Sequence, residues 1–144
     1  MLTYRRQEPR LTIEVKKCIH NYKEVKPNVK ELVIYSFFQI SNKGDRRTKL
    51  LKVQFVYWIV GKKHKLRTAF IENNQVIPES TKWVEAHDII NVGTYSAETT
   101  ANGEKEKIEC IFTIFHTHGA KEVKTTSIRQ ELFSVLRDYF EGLP

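Results

Sequence analysis

Proline and glycine are sparse in this 144-residue chain, at four and six residues, so it is neither collagen-like nor a low-complexity linker. Cysteine occurs only twice. Cys18 and Cys110 lie far apart, each inside a stretch of alternating apolar residues, and read as buried free thiols rather than a disulfide. No CxxC pair or His/Cys cluster of the kind that closes a structural zinc site is present. The longest uninterrupted apolar run is Phe55 to Val60, six residues, far below the roughly 20 that a membrane-spanning helix needs. The first ten residues lack the apolar core of a signal peptide. A soluble cytoplasmic protein without a membrane partner is expected.

Catalytic signatures are equally scarce. Neither GxxxxGK[ST] nor GxGxxG occurs, which removes the common phosphate-cradling loops. His87 and Asp88 are adjacent, but no Ser or Cys elbow accompanies them. Glu104, Glu106 and Glu109, interleaved with Lys105 and Lys107, read as a solvated strand edge rather than paired acid/base carboxylates. No enzymatic activity is expected from these patterns.

What the chain does have is segregated charge. Residues 1–70 carry 17 Lys and Arg against 5 Asp and Glu, whereas residues 71–144 carry 7 against 12. The net charge is +7. Such asymmetry favours an acidic protein or a nucleic acid as partner, or pairing of unlike halves in a homo-oligomer.

Period-two alternation is the main structural signal. Leu11, Ile13 and Val15 alternate with polar residues, as in a half-buried strand. Leu32 to Ser41 and Leu50 to Val60 are apolar on both faces and read as covered strands. Asn42 to Asp45 and Gly61 to His64 supply turns, with a short strand from Leu66 to Ile71. Residues 78–91 fit either a short helix opened at Pro78 or an irregular edge segment. Val92 to Ala97, Lys107 to Thr117 and Val123 to Thr126 are further strands. Ser127 with Gln130 makes a capping box, and Ile128, Leu132, Val135, Leu136 and Tyr139 follow at helical spacing until Gly142.

These elements predict a mostly-β chain: one domain over residues 1–144, with six to eight antiparallel strands and a C-terminal α-helix at 127–141. The stretch Leu32 to Leu51, with Ile40-Ser41-Asn42-Lys43-Gly44 leaving the second strand, resembles the second-to-third-strand turn of immunoglobulin-like domains. The resemblance implies an immunoglobulin-like β-sandwich.

Two basic clusters then stand out. Lys43, Arg46, Arg47 and Lys49 precede the long third strand, and Lys62, Lys63, Lys65 and Arg67 follow it. Eleven residues of strand separate them by roughly 35 Å. In an immunoglobulin-like arrangement the second cluster gathers Lys26 and Lys30 as well, with Lys23 and Tyr22 nearby. The expected function is a binding or adaptor domain whose loop-borne lysines contact an acidic protein or nucleic acid. No signature of an RRM, KH domain or zinc finger is present.

The alternative rests on Phe115-His116-Thr117-His118-Gly119. This pentad resembles the metal motif of JAB/MPN-type zinc metalloproteases, an apolar strand followed by His-Ser/Thr-His-Pro and a Ser-x-x-Asp helix. The resemblance implies His116 and His118 as zinc ligands and Ser127 as the supporting serine. Gly119 replaces the family's proline and Gln130 its metal-binding aspartate. Asp138 is a displaced ligand candidate, and Glu14 and Glu31 are nominal bases. No cofactor is expected on the first reading, and zinc on the second.

Overall fold

The computed structural model describes residues 8–72, 75–100 and 103–131. Nine strands follow in chain order: β1 (Leu11–Lys26), β2 (Val29–Asn42), β3 (Thr48–Ile59), β4 (Lys62–Glu72), β5 (Gln75–Ile77), β6 (Trp83–Val84), β7 (Ile89–Thr100), β8 (Lys107–His116) and β9 (Gly119–Arg129). The strand order β4-β7-β2-β1-β9-β8-β3 returns on itself, because β3 also pairs with β4. Seven strands therefore close a barrel, with β5 and β6 as short additions beside it.

This closure corrects the immunoglobulin-like sandwich expected from the sequence. A ring leaves fewer unpaired edges than two open sheets do. One of its seams is parallel: β1 meets β9 through Ile19 opposite Ile128 and His20 opposite Arg129. No local pattern announces a pairing across that much chain.

The expected C-terminal helix is corrected too. Ser127 to Arg129 continue β9, where Ser127 pairs with Ile108 and Ile128 with both Lys107 and Ile19. Partners on two sides hold these residues extended, which overrides the capping-box pattern. The rest of the proposed helix, from Leu132 onward, lies outside the described residues. Residues 78–91 form no helix; they run irregularly apart from β6 and from Ile89 onward, where β7 begins. Among the described residues no helix is long and apolar enough to cross a membrane.

Alternation builds the interior. Leu32, Ile34, Phe38 and Ile40 from β2 meet Val53, Phe55, Tyr57 and Ile59 from β3, with Ile108, Cys110, Phe112 and Ile114 from β8. The ring of Phe112 lies 4.6 Å from Phe55 and 5.0 Å from Phe38, centre to centre. Each such side chain, fully buried, stabilises the fold by about 1.5–3 kcal/mol. β2 is buried on its other face as well, at Val33 and Phe37.

Two of the three register shifts among the described strands change which side chains face the interior. Val15 pairs with Phe38 and Lys17 with Phe37, so the inward residues change from Leu11, Ile13 and Val15 to Cys18 and His20. Leu50 pairs with His116 and Lys52 with Phe115, so Leu50 is buried and Leu51 is exposed. An extra residue in one strand reverses which side chains face in.

Candidate anion-binding face of the barrel

The β3–β4 hairpin turns on only two residues, Val60 and Gly61, at φ of 51° and 73°. Paired positive φ angles mark the tight turn whose twist matches the flanking strands. Pairing therefore begins at once: Lys62 opposes Ile59, Lys63 opposes Trp58 and Lys65 opposes Val56. The lysines expected in a connecting loop are strand residues.

Alternation then sorts them. Tyr57 and Ile59 point inward and are buried, so Trp58 and Val56 point out. Across the next seams Trp58 sits opposite Glu109, which pairs with Thr126, and Val56 opposite Ile111, which pairs with Lys124. Farther along, Lys52 pairs with Phe115. The outer face of β4-β3-β8-β9 thus has a half-buried floor of Trp58, Val56, Ile111 and Phe115. Exposed Lys52, Lys63, Lys65, Lys107 and Lys124 surround it, against Glu109 and Glu122. None of these five lysines forms an ion pair with another described residue.

Two depressions occupy this face. One, of about 830 Å³, is lined by Trp58, Gly61, Lys107, Glu109, Ile111 and Lys124, among others. A second, of about 300 Å³, is lined by Lys52, Gln54, Lys65 and Phe115 with their neighbours. The Lys52 ammonium lies 5.0 Å from the centre of the Phe115 ring, a cation–π distance. Arg67 belongs to the same strand, its backbone paired with Gln54.

The other residues singled out in the sequence fall elsewhere. Lys30 is committed to Glu104 at 2.7 Å, and Arg129 holds the same carboxylate at 2.9 Å. Those two cations keep the Glu104 carboxyl below its ordinary range, the Lys30 bond having the larger effect. Lys26 is exposed at the far end of β1. Tyr22 is engaged within the fold: its hydroxyl accepts from the Lys105 amide at 2.9 Å and Arg129 lies over its ring.

The second basic cluster does not join the first. Lys43, Arg46, Arg47 and Lys49 occupy the opposite end of β3, interleaved with acidic groups. Arg47 lies 4.3 Å above Trp83 and 3.8 Å from Glu85, while Asp45 pairs with His87 at 2.8 Å. Buried Asn42 shapes this tip: its side-chain oxygen accepts from the Arg10 and Gly44 amides, and its nitrogen donates to the Arg46 carbonyl at 2.8 Å.

His116 ends β8 and His118 lies in the turn to β9. The Nδ1 atom of His116 sits 2.7 Å from the Thr48 hydroxyl. Burial, and then the neighbouring His118, lower the His116 pKa. Ser127, which the metalloprotease resemblance places beside them, instead lies buried at 2.7 Å from His20. Among the described residues no group of three His, Cys, Asp or Glu side chains is arranged to hold a metal ion.

Sequence reasoning missed Lys52, Lys107 and Lys124 as members of the lysine set, and it read the strand that carries Trp58 as covered on both faces. The available signal was strand parity: Lys52, Val56 and Trp58 share one face of β3, and the unbroken pairing from Lys52 to Trp58 carries it to Ile111 and Lys124.

No protein-family model matches the sequence, and no curated protein matches it. Among solved structures the fold is similar to that of a structural-genomics target, SoR45, with a TM-score of 0.54. The sequences are 12% identical, and the match covers 85% of this chain and 89% of that one. A putative ApaA protein from Bordetella pertussis matches at a TM-score of 0.47 and 10% identity, over 88% of this chain and 98% of that one. Likeness at such identities concerns the fold alone.

Proposed function

We propose that this protein is a non-enzymatic binding module that recognises an anionic polymer, acidic protein or nucleic acid, through the outer face of β4-β3-β8-β9. The observation that carries the reading is the set of five exposed lysines without an ion pair to any described residue, ringed around an apolar floor. Lysines kept only for solubility are ordinarily interspersed with acidic neighbours. Here the face holds a net +3 with two depressions between its cations.

The tip cluster supports the same contrast. Its two arginines and two lysines stand with Asp45, Glu85 and Asp88, a formal +1 against the +3 of the face, so the potential there is weaker. The reading is tested by measuring affinity for a soluble polyanion, such as heparin, across a salt series. Log affinity is expected to fall linearly with log salt, with a slope set by the number of lysines engaged. An absence of binding at low salt would refute the proposal.

A further inference from the structure

We propose that the anionic partner is a single-stranded nucleic acid, with a base stacked on Trp58 and phosphates following the lysines of β4 and β9. The inference rests on the anion-binding reading above and deepens it.

Four observations favour this partner. The floor of the larger depression is aromatic and apolar, with Trp58 beside Ile111. Stacking on an indole is open to every base, because every base has a π face. Next, the cations among the described side chains of this face are lysines. An ammonium on a long flexible stem is a point charge that can meet successive phosphate oxygens.

Spacing gives the third. Lys63 and Lys65 are two residues apart on one strand, about 6.6 Å, and β4 and β9 are three strand spacings apart, about 14 Å. Lys63 and Lys65 of β4 and Lys124 of β9 thus flank a floor two strands wide, formed by β3 and β8. Phe115 lies about 20 Å from Trp58 along the same face, a second ring farther along that floor.

The fourth concerns main-chain bonding. A peptide laid across this face gains no backbone hydrogen bonds, since β3 and β8 are paired on both sides. Peptides that bind sheets draw affinity from such bonds at an edge. A duplex, by contrast, keeps its base faces stacked inside and offers Trp58 nothing to stack on.

The test uses Trp83→Phe protein, in which Trp58 is the sole tryptophan, titrated at fixed salt with three probes. These are a twelve-nucleotide oligo(dT), the corresponding duplex, and poly-glutamate. The expected result is quenching of Trp58 emission by oligo(dT), with affinity at least tenfold tighter than for the duplex. In the same background, Trp58→Leu is expected to lose tenfold or more in oligo(dT) affinity measured by anisotropy, while Trp58→Phe keeps most of it. Equal affinity for the duplex, or full affinity in Trp58→Leu, overturns the stacking proposal. Poly-glutamate binding that matches or exceeds oligo(dT) also overturns it, yet leaves the anion-binding face intact. If none of the three probes binds at low salt, the parent reading fails as well.

Discussion

The imidazole of His20 and the hydroxyl of Ser127, 107 residues apart in sequence, meet at 2.7 Å inside the barrel. The other ring nitrogen, Nε2, lies 2.7 Å from the Lys105 carbonyl. A carbonyl only accepts, so Nε2 carries the proton and Nδ1 accepts from Ser127. That contact ties β1 to β9 at the parallel seam that closes the ring, and it uses the neutral imidazole.

Acid should therefore loosen the barrel. Burial is the main cause that lowers the His20 pKa, and Arg129 adds to it while the Lys105 carbonyl opposes it. With the folded-state value depressed, the unfolded chain binds the proton more readily. Stability is complete above the ordinary imidazole range near 6.5 and declines as pH falls from there toward the folded-state value. His116 contributes in the same direction. Urea midpoints measured from pH 7.5 to 5 should fall, and should still fall in a His116→Gln variant. Ser127→Ala, which leaves Nδ1 without its partner, should cost about 1–3 kcal/mol at pH 7.5. A flat profile across this range would contradict the assignment.

The hairpin that registers the lysines carries visible strain. Val60 is a β-branched residue at φ 51° and is 75% exposed, a conformation that suits Asn or Gly far better. Val60→Asn should raise stability by about 0.5–1 kcal/mol in chemical denaturation. Unchanged or reduced stability would mean that the valine side chain makes a compensating contact.

The two thiols should be silent in the native protein. Cys18 and Cys110 are both free and buried. The Ser36 hydroxyl lies 3.3 Å from the Cys18 sulfur, and the Cys110 sulfur lies 3.4 Å from the Ile108 carbonyl. Their mutual contact, followed by burial, pushes the Cys110 thiol well above the usual thiol range. Since the thiolate is the reactive form, maleimide labelling of Cys110 should proceed only at the rate of unfolding and accelerate with urea. Rapid labelling of Cys110 in buffer would contradict this burial.

Much of the strand content was readable, because Leu11 to Lys16 and Lys107 to Thr117 alternate cleanly and Leu32 to Ser41 is a β-rich run apolar on both faces. The buried free cysteines were readable for the same reason. The face was not, for two physical reasons. Where both parities of a strand are apolar, as in Phe55 to Val60, the pattern does not say which side faces in, and the strand reads as covered on both faces although Trp58 points out. The bulge at Leu51 adds a further reversal that only the pairing of Lys52 with Phe115 reveals. Ring closure depends on Ile19 meeting Ile128, a contact between chain ends that no local window contains. Ser127 shows the same limit in reverse, as its capping pattern yields to strand partners on both sides.

The central claim, that unpaired strand lysines rather than tip residues form the anion site, is tested most directly by comparing two charge-reversal variants. Lys63→Glu/Lys65→Glu/Lys124→Glu alters the face, and Lys43→Glu/Arg46→Glu/Arg47→Glu alters the tip by the same formal charge. Affinity for one labelled polyanion is measured by anisotropy over a salt series. The face variant should lose at least tenfold in affinity and show a shallower salt slope, with the tip variant close to wild type. Equal losses, or a larger loss in the tip variant, would contradict the assignment.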